Sequence, residues 1–268
     1  MSAPHAIVRS DAPVHVESLG EGSPLVLLHG FALHGGLFAP VVNALAQRHR
    51  VHVVDLPGHG RSATVAPYDL PTLAMAIDDA LDDVDAPVTL LGWSLGGQVA
   101  LQWAHRRPDR VRRLILVAAT PSFVTREGWP DAMTAATLER FGDELRTAYR
   151  LTLLRFLTLQ VQGSDEGRRT LSHLRAHVFE RGEPTRDALS AALALVLRAD
   201  LRPLLAQIAA PALVIGGARD ALVPLAATRA LADALPHATH RTIDGAAHAP
   251  FLSHPRAFVD AVQAFIDD

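Results

Sequence analysis

Ser94 stands in Gly92-Trp93-Ser94-Leu95-Gly96, between the apolar run Val88 to Leu91 and a segment of helical spacing from 95 to 106. That arrangement suits a nucleophile. A serine oxygen attacks a carbonyl only if it projects from the backbone, and a sharp strand-to-helix turn achieves this by straining the central residue. Side chains two positions to either side would collide across such a turn, which accounts for the glycines. The following helix aims its free N–H groups at developing negative charge. A serine that merely caps a helix is the competing reading of the same five letters.

A serine hydroxyl needs a base to take its proton and a carboxylate to orient that base. Of 14 histidines, His248 is the one in a small-residue loop, Asp244-Gly245-Ala246-Ala247-His248-Ala249-Pro250, between the expected last strand and last helix. His237, His240 and His254 fall in a turn, within a strand and at a helix start, while His105, His173 and His177 fall on expected helices. Asp220 follows the run Ala212 to Ile215, again in a loop at a strand end. Asp200 competes, but its place at a helix start is explained by capping. The residues therefore point to Ser94 as nucleophile, His248 as base and Asp220 as its orienting carboxylate. Two backbone donors should hold the oxyanion: the N–H of Leu95, and that of Phe31 in His29-Gly30-Phe31-Ala32. This chemistry needs no cofactor. Nothing at ligand spacing surrounds His29, so no metal is expected, and Gly58-His59-Gly60 lacks the rest of a nucleotide-binding loop and reads as a turn.

Such a site requires loops gathered at one rim. The runs Val14 to Val16, Leu25 to Leu28, Val51 to Val54, Val88 to Leu91, Leu114 to Ala118 and Ala212 to Ile215 are mostly continuous Val, Leu and Ile, as in strands covered on both faces. Helical spacing over 36–48, 70–83 and 95–106 alternates with them, and the rhythm returns with a helix near 225–235, a strand near 239–243 and a final helix near 255–266. The alternation predicts a mostly parallel central sheet with helices on both faces. Residues 121–200 break it: they hold no convincing strand, and Gly142, Gly163 and Gly182-Glu183-Pro184 divide them into about four helices. The expected organisation is a core of 1–120 and 201–268 with a helical lid at 121–200.

Composition narrows the classes. With 268 residues, 49% hydrophobic and 20% charged, the chain can bury a large core. A net charge of −3 gives no nucleic-acid signature, and the absence of cysteine excludes a thiol nucleophile. Neither a leader nor an apolar stretch near 20 residues is evident, so a cytoplasmic monomer that does not engage membranes is expected.

The motifs His29-Gly30-Phe31, Asp55-Leu56-Pro57-Gly58-His59-Gly60-Arg61-Ser62 and Gly92-Trp93-Ser94-Leu95-Gly96-Gly97, followed by Asp220 and His248, resemble the α/β-hydrolase superfamily over nearly the whole chain. Within it, Trp129-Pro130, Arg155-Phe156-Leu157-Thr158-Leu159-Gln160, Asp200-Leu201-Arg202-Pro203-Leu204 and the stretch Ala247 to Pro255 resemble the carboxylesterases of biotin synthesis that act on pimeloyl-[acyl-carrier protein] methyl ester. The resemblance implies an α/β-hydrolase fold and hydrolysis of that ester with release of methanol. It also implies that Phe156, Leu157, Thr158, Leu159 and Gln160 line the acyl channel, and that lid arginines grip the acidic carrier protein. Arg155 and Arg168 match that pattern, Leu151 and Ser172 depart from it, and Arg150, Arg169 and Arg175 stand nearby as substitutes. Phe31 stands where these enzymes commonly carry Trp. From 146 to 181 seven Arg face three acids, a local +4 that either steers an acidic partner or is a solvated helix face. A small-molecule esterase, an enol-lactonase, a carbon–carbon hydrolase or a weakly catalytic receptor would share the same three residues.

Overall fold

The computed structural model describes residues 7–8 and 13–268. The chain opens with two short strands, β1 (Ile7–Val8) and β2 (Val16–Leu19), then runs β3 (Ser23–Leu28), α1 (Ala39–Leu45), β4 (His49–Val54), α2 (Leu70–Ala80), β5 (Val88–Trp93), α3 (Leu95–Arg106) and β6 (Val111–Val117). Helices α4 (Ala135–Val161), α5 (Gly167–His177), α6 (Arg186–Arg198) and α7 (Arg202–Leu205) follow. The chain closes with β7 (Ala212–Gly217), α8 (Leu225–Ala234), β8 (Ala238–Ile243), α9 (Pro250–Ser253) and α10 (Pro255–Asp267).

All eight strands of the described residues form one sheet in the order β1-β2-β4-β3-β5-β6-β7-β8. From β4 to β8 every pairing is parallel, while β1 and β2 pair antiparallel at one edge. The continuous apolar runs become the central strands: β5 and β7 are buried at every residue. Strands at or next to the sheet edges alternate instead, as β8 and β2 do, because one face of each is more open to solvent. Helices α1 and α10 pack together, as do α2 and α3, giving separate helical layers beside the sheet. No described helix is long and apolar enough to cross a membrane.

Residues 121–200 add no strand to this sheet; α4, α5 and α6 stand between β6 and β7. The expected helix break at Gly142 is not there. Gly142 is buried inside α4, where a Cβ would strike the Leu193 side chain of α6, so this glycine permits close helix packing. The break falls at Ala148, whose backbone leaves the helix at φ −142° and ψ 54°. It is severe. Phe141 and Phe156 lie about 22 Å apart along a straight helix, yet their ring centroids are 5.3 Å apart. Helix α4 is therefore a V with its apex at Ala148 and its arms converging on one space.

Candidate active site

Parallel strands carry the three reactive candidates to the same rim, because Ser94 follows β5, Asp220 follows β7 and His248 follows β8. Ser94 adopts φ 56° and ψ −117°, a strained conformation for a side chain other than glycine. It precedes α3 at the capping position, but its hydroxyl makes no capping bond, which removes the simpler explanation for a serine there. The flanking glycines are steric necessities. A Cβ at Gly92 would run into the backbone of Gly96 and Gly97, and one at Gly96 would come within 2.6 Å of the His29 carbonyl oxygen.

His248 donates from Nδ1 to Asp220 Oδ2 at 2.8 Å, and both side chains are almost fully buried. The other carboxylate oxygen of Asp220 accepts the N–H groups of Leu222 and Val223, at 2.9 and 3.0 Å, which fixes its plane. With Nδ1 committed as the donor, the free position of the neutral ring is Nε2. Gly217 lets the two loops meet, since a Cβ there would lie 2.7 Å from the Ala246 carbonyl oxygen. The His248 backbone is held on both sides. Its N–H donates to the Gln160 carbonyl at the end of α4, and its carbonyl accepts the Trp93 indole N–H at 2.8 Å.

The loop after β3 completes the rim. A Cβ at Gly30 would sit 3.3 Å from Ser94 Cβ, so this loop passes directly over the serine. Leu56 N–H donates to His29 Nε2 at 2.9 Å, so the His29 proton resides on Nδ1 and is donated to the Gly30 carbonyl at 2.8 Å. The Phe31 N–H, on the opposite edge of that planar peptide, is thereby turned away from His29. Burial lowers the pKa of His29 to about 3 and that of the adjacent His59 to about 4, so both rings are neutral structural groups.

Ser94 and His248 open into a cavity of about 130 Å³ lined by Phe31, Leu95, Phe123, Phe141, Phe156, Leu159 and other apolar side chains. Phe31 touches both arms of α4, at 6.1 Å from the Phe141 ring and 6.3 Å from the Phe156 ring. Of the segment expected to line an acyl channel, Phe156 and Leu159 face this cavity. Leu157 is wholly buried in the core, Thr158 is exposed, and Gln160 is buried beneath the His248 loop, because successive helical residues rotate by about 100°. Phe123, Leu138, Phe141, Leu193, Val196 and Leu222 were not anticipated. For four of them the signal in the sequence is the three-residue spacing of Leu138 and Phe141, and of Leu193 and Val196.

The arginines of the helical segment are more neutralised than a window count suggests. Arg150 pairs with Glu183, Arg155 with Glu144 at 3.8 Å, and Arg169 with Glu166 at 3.0 Å. Arg181 is nearly buried between Asp55 and Glu17, tying the α5–α6 linker to the sheet. Two of these acids, Glu144 and Glu183, lie just outside the window of 146–181. Over 135–198 there are ten Arg and eight acids, only +2. Among the described residues, Arg168 makes no ion pair; it lines a shallow groove along α5 with Arg169, Ser172 and His173.

Residues 23–255 match the family model described as alpha/beta hydrolase fold. The chain belongs to the α/β-hydrolase fold family. Among its members, the pimeloyl-[acyl-carrier protein] methyl ester esterase of Chromobacterium violaceum is 46% identical over 253 residues, covering 94% of this chain and 97% of that one. The enzyme of the same name from Nitrosomonas europaea is 43% identical over 253 residues, covering 94% and 99%. Among solved α/β-hydrolase structures, an enol-lactonase from Burkholderia xenovorans LB400 superposes with a TM-score of 0.82 at 26% identity, covering 95% of this chain and 96% of the other. An esterase from Exiguobacterium antarcticum reaches 0.86 at 24% identity and the same coverage, a likeness of fold.

Proposed function

We propose that this α/β-hydrolase is a serine carboxylesterase that removes the methyl group from pimeloyl-[acyl-carrier protein] methyl ester. Ser94 attacks the ester carbonyl while His248 Nε2 takes its proton and passes it to the departing methoxide, releasing methanol. Asp220 holds the imidazole and stabilises its charged form. The N–H groups of Phe31 and Leu95 receive the oxyanion, a contribution of roughly 3 kcal/mol per donor. Water, activated by the same histidine, then cleaves the acyl-enzyme and frees the pimeloyl carboxylate. Helices α4 to α6 act as a lid, with Phe156 and Leu159 on the acyl chain and Arg168 meeting the carrier protein.

The observation that carries this reading is the Asp220–His248 hydrogen bond at the base of an apolar cavity that also holds a strained, uncapped Ser94. Relatives of the stated name, matched over nearly their whole length, support the choice of ester. Purified protein should release methanol from the carrier-bound methyl ester, and Ser94→Ala should abolish it. Expression in a biotin-requiring strain blocked at this esterase step should restore growth. Full activity in Ser94→Ala, or no growth, would refute the assignment.

A further inference from the structure

The lining of the cavity carries more information than its place beside Ser94. Its polar contributors are Ser94 and His248 at the base and Thr137 on the first arm of α4; no lining residue is a carboxylate or a cation. Two lining residues are also exposed: Thr137, near the start of α4, and Leu159, near its end, 42% exposed. Because α4 doubles back at Ala148, these two residues belong to the open ends of the V. They mark where the cavity meets solvent, whereas Phe141 and Phe156 are less exposed and pack against Phe31.

From this geometry we infer a charge rule for the acyl group: the part of the chain between Ser94 and the Thr137–Leu159 mouth must be neutral, and an ionised terminus is accepted only when the chain is long enough to carry it past that mouth. The inference rests on the esterase reading and names the substrate class more narrowly. A carboxylate stopped among Phe31, Phe141, Phe156 and Leu193 would lose its hydration and gain neither an ion pair nor a cluster of donors. Beyond Leu159 it re-enters water, with Arg155 one turn back on α4. Carboxyl groups of dicarboxylic half-esters are ionised at neutral pH, so the penalty applies fully there. A chain whose far end is a neutral thioester escapes it at any length.

The test compares methyl alkanoates with monomethyl esters of straight-chain dicarboxylic acids of equal carbon number, from four to nine carbons, at pH 7.5 and fixed ionic strength. The ratio of kcat/KM, half-ester over alkanoate, should be about 1/100 or lower for monomethyl succinate, the cost of an unpaired buried charge. It should rise steeply with length to within about threefold of unity. In Leu159→Lys, which sets a cation at the mouth, the ratio should rise about tenfold for chains of intermediate length. A ratio that is flat across lengths while both series are hydrolysed would overturn the charge rule and leave the esterase reading standing. An unchanged ratio in Leu159→Lys would overturn the placement of the mouth. Failure to hydrolyse either series would overturn the esterase reading and this inference with it.

Discussion

Phe141 and Phe156 are separated by fifteen residues of one helix, yet their rings stand 5.3 Å apart over Phe31. The elbow at Ala148 makes this contact, and the contact joins both arms of α4 to the loop that carries the Phe31 N–H. In the proposed mechanism, acyl recognition and oxyanion binding therefore share a wall. Phe141→Ala should remove one side of the aromatic triangle without touching Ser94, Asp220 or His248. We expect kcat/KM for p-nitrophenyl acetate and butyrate to fall about tenfold, through looser seating of both chain and Phe31. Octanoate and decanoate esters should gain relative to them as the cavity widens. An unchanged ranking of chain lengths would show that the triangle does not contact the acyl group.

Buried neutral histidines make stability depend on acidity. His29 and His59 have pKa values near 3 and 4 in the folded protein because burial penalises the charged ring. In the unfolded chain each ionises near its ordinary value of about 6.5. The unfolded state thus binds more protons, and stability present above pH 6.5 is lost as the pH falls from there through about 4 and 3. Each ring contributes a slope of up to about 1.4 kcal/mol per pH unit. These two rings alone should make denaturant titrations at pH 7 and pH 5 differ by about 2 to 4 kcal/mol, and His59→Gln should lower the slope by up to about 1.4 kcal/mol per pH unit. Equal midpoints at both pH values would contradict this account.

Much of this architecture is legible in the chain. Continuous Val, Leu and Ile runs mark β3 to β7, and the short motifs around Ser94, Asp220 and His248 mark the rim, because each answers to local sterics or to a strand end. What escaped is non-local. The Ala148 elbow has no glycine or proline to announce it, whereas Gly142, which resembles a break, serves helix packing against Leu193. Five consecutive residues, Phe156 to Gln160, cannot all face one cavity when they are helical. The roles of Trp93, His29 and the Gln160 carbonyl lie in hydrogen bonds between distant segments, which no spacing along the chain encodes.

Arg181 illustrates the same limit and yields a separate test. In sequence it belongs to a basic stretch, but in the fold it meets Asp55 at 3.1 Å, together with Glu17. Burial raises the pKa of the Asp55 carboxyl. The neighbouring His29 ring, the Arg181 guanidinium and the Arg61 and Gly35 N–H groups outweigh it and hold the pKa below the ordinary carboxylate range. Replacing Arg181 with Gln leaves that wholly buried carboxylate without its cation. The cost should be about 2 to 4 kcal/mol, somewhat under the usual range because two N–H bonds remain. Thermal melts should show the loss, and the KM for carrier-bound substrate should stay within about twofold. A stable Arg181→Gln protein with weakened carrier binding would place this residue on the docking face instead.

Carrier recognition itself should depend on the arginines that the fold leaves uncommitted. Arg150, Arg155 and Arg169 already have acidic partners, so reversing one of them removes attraction for a carrier and frees a local acid at once. Arg168 has no such partner among the described residues, and its reversal is the cleaner experiment. Arg168→Glu should lower kcat/KM for the carrier-bound methyl ester by about tenfold while leaving p-nitrophenyl butyrate hydrolysis unchanged. The difference should shrink as salt is raised from 50 to 500 mM, because exposed charges more than about 10 Å apart are screened at 0.1 M. Equal losses on both esters would place the effect in the folding of α4 to α6 and not at a carrier surface. No loss on either would move the docking face away from α5.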